Sequence, residues 1–416
     1  MRVLEMRARK VLATNSVPTV EIELRTEKGT VRASSPMGTS TGKYESYQMP
    51  ADDALRRFSV IRRSFTASEF SGQRDLDKVL REVDSTSYFR EIGANMAVAI
   101  SGAFLKAFAL EKGVEVWRYV AKEYGTKPAI PAPLCNVVGG WKGQSEFQEF
   151  LFLPVHQKSF ADSVFKITEA YQRLGDALKA RDGRFNYSKN LESGWVTHLG
   201  YNEILEEMKK IADDMFLKIG LDVAASQFYK DGHYVYRGVR MNSHEQYDFL
   251  EGIVRKFPVF YIEDPFQEDD WLSFSTAVTR WQPRIVCGDD FYATRLHRLL
   301  SSIDRKSTNG AIVKPNQIGT MTDTIEFAKE AQKHGLVTVL SHRSGETDES
   351  LISHLAVGIG CEYAKFGISG ERVVKLNEII RIEERINQEP QEQVGPASEL
   401  SQMMREKIRQ LKMPPQ

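Results

Sequence analysis

Six positions in this chain carry side chains able to do chemistry, and each follows a short apolar run. Asp222 follows Leu221 in IGLDVAAS. Glu263 follows Tyr261-Ile262 in YIEDPF, and Asp289 follows VCG in VCGDD. Lys314 follows AIV, His342 and Arg343 follow VLS, and Lys365 follows EYA. From 263 to 289, 314, 342 and 365 the steps are 26, 25, 28 and 23 residues. Each is about the length of one strand-plus-helix unit, which would bring these residues to one end of a barrel. A polar residue after a strand is often only a helix cap, and capping alone would explain Asp222 or Asp289. It does not explain two lysines, which cap helix N-termini poorly.

Three carboxylates from successive strands, Asp222, Glu263 and Asp289, would repel one another without a cation. Oxygen-only ligands point to a hard divalent ion, most simply Mg²⁺. The absence of a Cys/His cluster argues against structural zinc. A lysine beside a metal and a second cation has its charged form disfavoured, so the pKa of Lys314 is expected to fall. A neutral lysine near a metal-bound carboxylate is suited to removing a weakly acidic α-proton.

The elements that must position these groups follow from periodicity. Short apolar strands are expected at 258–262, 284–287, 310–313, 336–340 and 361–364, with amphipathic helices between them. In the helix at 320–334, Met321, Ile325, Ala328 and Ala331 form one face, Lys329 and Lys333 lie opposite, and Gly335 takes the C′ position. Repeated units of this kind imply parallel strands with right-handed crossovers. The span suits a (β/α)-barrel better than an open sheet. Upstream, Val20-Glu21-Ile22-Glu23-Leu24 alternates as a half-buried strand does. A turn at 26–29 leads into a second strand, and helical spacing recurs at 52–65, 75–84 and 94–123. The fold class is therefore α/β: a small N-terminal α+β domain over 1–125, a Pro-rich linker at 126–133 and a (β/α)8-type barrel over 134–395. A helical extension at 396–416 carries a charged helix at 398–411.

Composition narrows the function classes. The chain has 416 residues, 41% hydrophobic and 27% charged, enough to bury a large core without staples. Lys plus Arg and Asp plus Glu are both 56, which argues against nucleic-acid binding through a strongly basic face. No apolar run approaches a membrane span of about 18 residues, and MRVLEMRARK has no secretory apolar region. Cys135, Cys287 and Cys361 are widely spaced and read as buried thiols of a reducing compartment. The expected location is the cytoplasm. Isolated histidines such as His156, His233 and His354 read as hydrogen-bonding groups, and Trp141, Trp195 and Trp271 as packing groups.

Taken together, GANMAVAIS, QEFLFLP, IGLDVAAS, YIEDPFQEDDW, KPNQIGT, SHRSGET and LNEIIRIEE resemble the enolase family. Matches run from Pro18 to Glu383. The use of a Lys or His base with one or two Mg²⁺ ions is a known property of that superfamily. The resemblance implies a barrel of the enolase kind and a carbon–oxygen lyase of glycolysis, phosphopyruvate hydratase, interconverting 2-phosphoglycerate and phosphoenolpyruvate with two Mg²⁺ ions. It implies Asp222, Glu263 and Asp289 as ligands of the first ion, and Ser40, in PMGTSTGKYE, as a loop ligand of the second. It implies Lys314 as the base at C2 and Glu192, in NLESGW, as the acid at the C3 hydroxyl, with Gln148 and Glu149 near that hydroxyl. Arg343 and Ser344, with His342 beside them, would hold phosphate, and Lys365 the substrate carboxylate. Members are usually dimers or larger, so a homo-oligomer is expected, with no nucleic-acid or membrane partner.

Departures from the family pattern bear on function. The loop after Asn136 is shorter and lacks a histidine, the acid segment D-E-G-G-F reads LESGW, and A-P-x-R-S-E-R is shortened to ISGER. Lys142, the only cation in the shortened loop, is either a stand-in for the histidine at the phosphate or an ordinary exposed lysine. Two other readings remain open: an enolase-related dehydratase with an altered substrate, and an enolase-fold binding protein without catalysis. The second would be marked by loss of Lys314 or a metal ligand, and neither is lost.

Overall fold

Apolar residues at alternate positions make the N-terminal sheet. Strands β1 (Glu5–Leu12), β2 (Pro18–Thr26) and β3 (Gly29–Ser34) pair antiparallel in sequence order. Val20, Ile22 and Leu24 of β2 are fully buried. The sheet packs on helix α3 (Ala94–Glu111), with α1 (Ala51–Thr66), α2 (Gln73–Val83) and α4 (Val116–Tyr124) around it. Strand β1 was missed by the periodicity reading, because Arg7, Arg9 and Lys10 alternate with few large apolar residues. The computed structural model describes residues 1–38, 41–140 and 146–388, so the expected helix at 398–411 lies outside the described residues.

Helix α3 corrects one expectation. It is long and apolar enough to cross a membrane by composition, yet 83% of its span is buried inside the protein. It is a core helix, apolar on all sides because neighbours cover all sides.

The barrel is closed by strands β4 (Ala132–Gly139), β5 (Glu149–Pro154), β6 (Leu217–Asp222), β10 (Val259–Glu263), β11 (Ile285–Gly288), β12 (Gly310–Val313), β13 (Val337–Ser341) and β14 (Tyr363–Gly367). A small sheet of β7 (Tyr229–Lys230), β8 (His233–Tyr236) and β9 (Val239–Met241) is inserted after β6. The five barrel strands placed by periodicity lie within three residues of their expected bounds. Ala132 and Pro133, assigned to the linker by composition, already pair with Tyr363 and Ala364.

The expectation of uniformly parallel strands fails at β5. Only nine residues separate β4 from β5, at 140–148, too few for a crossover helix. The two form a hairpin, and β5 runs antiparallel to both β4 and β6. This reversal brings the first residue of β5, Glu149, opposite the last residue of β6, Asp222. A strand start thereby joins the strand ends at the barrel mouth. Leu134, Leu151, Tyr261, Ile285, Ile312 and Val339 form an apolar cluster separate from the one involving the helices. A cluster drawn from strands alone is the packed barrel interior.

Candidate active site

Gln148, Glu149, Glu192, Asp222, Asp289, Lys314, His342, Arg343, Ser344 and Lys365 line one cleft of about 490 Å³ at the barrel mouth. Glu263, fully buried, joins them through Lys365. The Lys365 ammonium lies 2.8 Å from Asp222 Oδ2, 2.8 Å from both Glu263 oxygens and 2.5 Å from Glu149 Oε2. Lys314 Nζ pairs with Asp289 Oδ2, whose other oxygen accepts from Gln317 Nε2 at 2.8 Å. Gln148 Nε2 donates to Asp222 Oδ2 at 3.2 Å. The mouth thus holds two lysines within a wall of carboxylates.

Burial sets the electrostatics. Loss of water pushes Glu263 up to about 8 and Asp222 up to about 6, each raised further by neighbouring carboxylates and opposed by Lys365. Asp264, buried, and Asp290, half-buried, stand beside Asp289, and desolvation with the neighbouring carboxylates holds both well above the carboxylate range. Asp289 moves the other way: burial would raise it, but Lys314 against it holds it low. Burial opposes the charge on Lys314, yet Asp289 keeps its pKa above the ordinary lysine value. That differs from the fall expected from the sequence, because here the carboxylate faces the ammonium directly.

The opposite wall is built differently. Asn136 Nδ2 donates to Glu149 Oε1 at 3.0 Å and to Glu192 Oε2 at 3.3 Å. Glu149 is pushed up to about 8, by burial first; Lys365 opposes this and Glu192 adds to it. His342 is buried among Arg372, Lys365 and Lys375, and both burial and those cations hold it well below the ordinary histidine value, so it is neutral. Its Nε2 lies 4.0 Å from Glu149 Oε1, and neither ring nitrogen has a hydrogen-bond partner.

Arg343 departs from a simple phosphate ligand. Its guanidinium is buried and pairs with both Glu45 oxygens, Nη1 to Oε2 at 2.7 Å and Nη2 to Oε1 at 3.2 Å, while Nη1 also reaches Asn316 Oδ1 at 3.1 Å. Ser344 lies beside it in the cleft wall. The sequence reading did not single out Glu45, Asn136, Asn316 or Gln317. Asn316 and Gln317 stand inside KPNQIGT and Glu45 closes PMGTSTGKYE, so the signal was local; nothing but the fold pairs Glu45 with Arg343. Ser40 and Lys142, with Trp141, lie outside the described residues.

The donor set suits a hard cation. Asp222, Glu263 and Asp289 converge with only cationic side chains to offset them, and the Lys365 ammonium stands between two of the three. Among the described residues, Asp264, Asp289 and Asp290 also bring ligand oxygens within 4.8 Å of one another. Carboxylates raised by crowding are lowered again by any cation placed among them.

The fold and site define a β/α-barrel protein with a small α+β domain and a cleft of paired lysines and carboxylates at the barrel mouth. The family description "Enolase, N-terminal domain" matches residues 3–120, and "Enolase, C-terminal TIM barrel domain" matches residues 127–396. The chain is 37% identical to the enolase of Methanocorpusculum labreanum over 392 residues, 90% of this chain and 97% of that one. It is 37% identical to the enolase of Natronomonas pharaonis over 92% of this chain and 98% of that one. It is 35% identical to the enolase of Thermoplasma acidophilum over 91% and 98%. The chain belongs to the enolase family and is an enzyme of the phosphopyruvate hydratase class.

Proposed function

We propose that this enzyme is a Mg²⁺-dependent enolase of glycolysis and gluconeogenesis, reversibly dehydrating 2-phosphoglycerate to phosphoenolpyruvate in the cytoplasm as a dimer or larger homo-oligomer. The observation that carries this reading is the facing of Lys314 and Lys365 across Asp222, Glu263 and Asp289, with Glu149 and Glu192 on the opposite wall. Two Mg²⁺ ions, held by Asp222, Glu263 and Asp289 and by Ser40 with the substrate, would stabilise the negative charge that builds on the substrate carboxylate.

The chain's own residues do the rest. Lys314 Nζ takes the proton from C2, once the Asp289 charge that holds it protonated is engaged elsewhere. The electron pair of the C2–H bond becomes the C2–C3 double bond. The C3–O bond breaks as Glu192 gives its proton to the departing hydroxyl, which leaves as water. Burial raises Glu149 to about 8, which disfavours its charge and so weakens its repulsion of Glu192. Lys365 holds the substrate carboxylate, and Gln148 lines the hydroxyl side. Arg343, Ser344 and neutral His342 face the phosphate side, where phosphate shares Arg343 with Glu45.

Formation of phosphoenolpyruvate from 2-phosphoglycerate, followed by its absorbance with and without Mg²⁺, tests the reading. Mg²⁺-dependent formation is expected. No product from 2-phosphoglycerate would shift the assignment to a dehydratase of another substrate.

A further inference from the structure

We propose that Arg372 is a positioning residue for Glu192, holding the acid in place through a clamp between the 367–372 turn and the 190–194 loop. The inference rests on Glu192 being the acid of the reaction proposed above.

Arg372 is completely buried, and its guanidinium is used on backbone. Nη2 donates to the carbonyl of Leu191 at 2.7 Å and to that of Ser344 at 2.6 Å, and Nη1 to that of Arg343 at 2.7 Å. One rigid fork therefore ties the peptide preceding Glu192 to two peptides of the phosphate-side loop. A lysine offers a single point of attachment and cannot reproduce that spacing.

The Glu192 carboxylate needs such help. Its hydrogen bond from Asn136 is long, 3.3 Å, so its position follows its backbone. That backbone is under constraint. Ser193 sits at φ +66, a conformation that L residues seldom adopt. Its carbonyl accepts from Tyr171 Oη at 2.9 Å and Ser369 Oγ at 3.3 Å. The turn presses close from the other side. A Cβ at Gly367 would collide with the Glu192 carbonyl, and one at Gly370, at φ +64, would lie 2.7 Å from Ser193 Oγ. These two contacting segments, LESGW and ISGER, are both places where the chain departs from the family pattern. They fit each other, with serine on one side and glycine on the other.

The test compares two steps in the Mg²⁺-loaded full-length enzyme: exchange of the C2 proton of 2-phosphoglycerate with deuterated solvent, and formation of phosphoenolpyruvate. Displacing the acid while leaving Lys314 in place should lower the second and spare the first. In Arg372→Met, phosphoenolpyruvate formation should fall about tenfold or more while exchange stays within about twofold, with Arg372→Lys intermediate. Tyr171→Phe removes one bond to Ser193 without opening a large cavity, so it reports even if Arg372→Met fails to fold. It should lower dehydration about threefold with KM unchanged. Gly370→Ala should do the same through crowding of Ser193 Oγ, and adding Ser193→Gly should restore the lost rate. Parallel loss of both steps in Tyr171→Phe and Gly370→Ala, or loss of neither, would overturn the clamp. Wild-type enzyme showing neither exchange nor dehydration would instead overturn the reaction itself.

Discussion

The two walls of the barrel mouth are held by opposite means. On the base wall, Lys314, Lys365, Asp222, Glu263 and Asp289 stand on barrel strands or just past their ends, and their charges satisfy one another at hydrogen-bonding distance. On the acid wall, Glu149 begins a reversed strand, Glu192 rides on a loop, and buried polar atoms such as Asn136 Oδ1 and both His342 ring nitrogens have no partner. The base wall is a set of ion pairs that a cation must re-partition, joined to the acid wall through Lys365 and Glu149. The acid wall is a set of directed groups whose spacing comes from backbone. Polar atoms buried without partners are costly, and of these the His342 ring lines the cleft itself.

The largest effects should separate the walls. Lys314→Ala should lower exchange of the C2 proton roughly 10³-fold, at the upper part of what a positioned general base contributes. Thermal unfolding and metal binding should persist, because removing the lysine leaves Asp289 with Gln317. Continued exchange in that variant would move the base elsewhere. Glu192→Gln should leave exchange near wild type but lower phosphoenolpyruvate formation roughly 10²-fold. If exchange in Glu192→Gln collapses as well, the walls do not act as separate stations.

The difference between the walls also explains what was legible in the sequence. Asp222, Glu263, Asp289, Lys314 and Lys365 share a one-dimensional signature, an apolar run followed by a charged residue, and from Glu263 onward these recur at a regular step. Barrel geometry converts that step directly into proximity. Glu149 breaks the rule, since it precedes its strand. Only the short β4–β5 connection, which forces a hairpin, carries it to the mouth. The Glu45–Arg343 pair joins residues 298 positions apart and has no periodic signature at all. Family motifs supplied Glu192 and Gln148 where spacing could not. The lysine pKa was misjudged because proximity of cations was legible, whereas the facing of Asp289 onto Lys314 depends on side-chain direction.

A smaller effect should appear in stability, from raised carboxylates on both walls, and its response to a cation belongs to the base wall. Glu149 and Glu263, both raised to about 8, keep protons in the folded state that the unfolded chain releases above about pH 4.5. Folding stability of the metal-free protein should therefore decline as pH rises from about 5 to 8. Mg²⁺ binds the folded state, so it should raise the melting temperature, by about 2.7 kcal/mol in stability at 100 times its dissociation constant, and flatten that decline. Asp289→Asn should weaken the response. Melting curves indifferent to millimolar Mg²⁺ in both proteins would remove the cation from this wall.

The smallest expected effect concerns the shortened loop after Asn136, where the family histidine is missing. Lys142 supplies the only cation in the shortened loop. A lysine is a point charge, with none of the ring geometry of the histidine it would replace. Its contribution to phosphate should therefore be electrostatic and sensitive to salt. Lys142→Gln should raise KM for 2-phosphoglycerate about threefold at low ionic strength and leave kcat alone, with the difference shrinking toward 1 M salt, where the screening length is about 3 Å. Lys142→Arg should fall between. Both walls should keep their separate signatures, with exchange and dehydration in their wild-type ratio, because a charge that only attracts phosphate alters occupancy and neither proton transfer. Kinetics unchanged in Lys142→Gln would assign phosphate to Arg343 and Ser344 without help from the loop. Glu45, which lines the cleft and pairs with Arg343, would then be the residue that sets how much of that guanidinium the phosphate can claim.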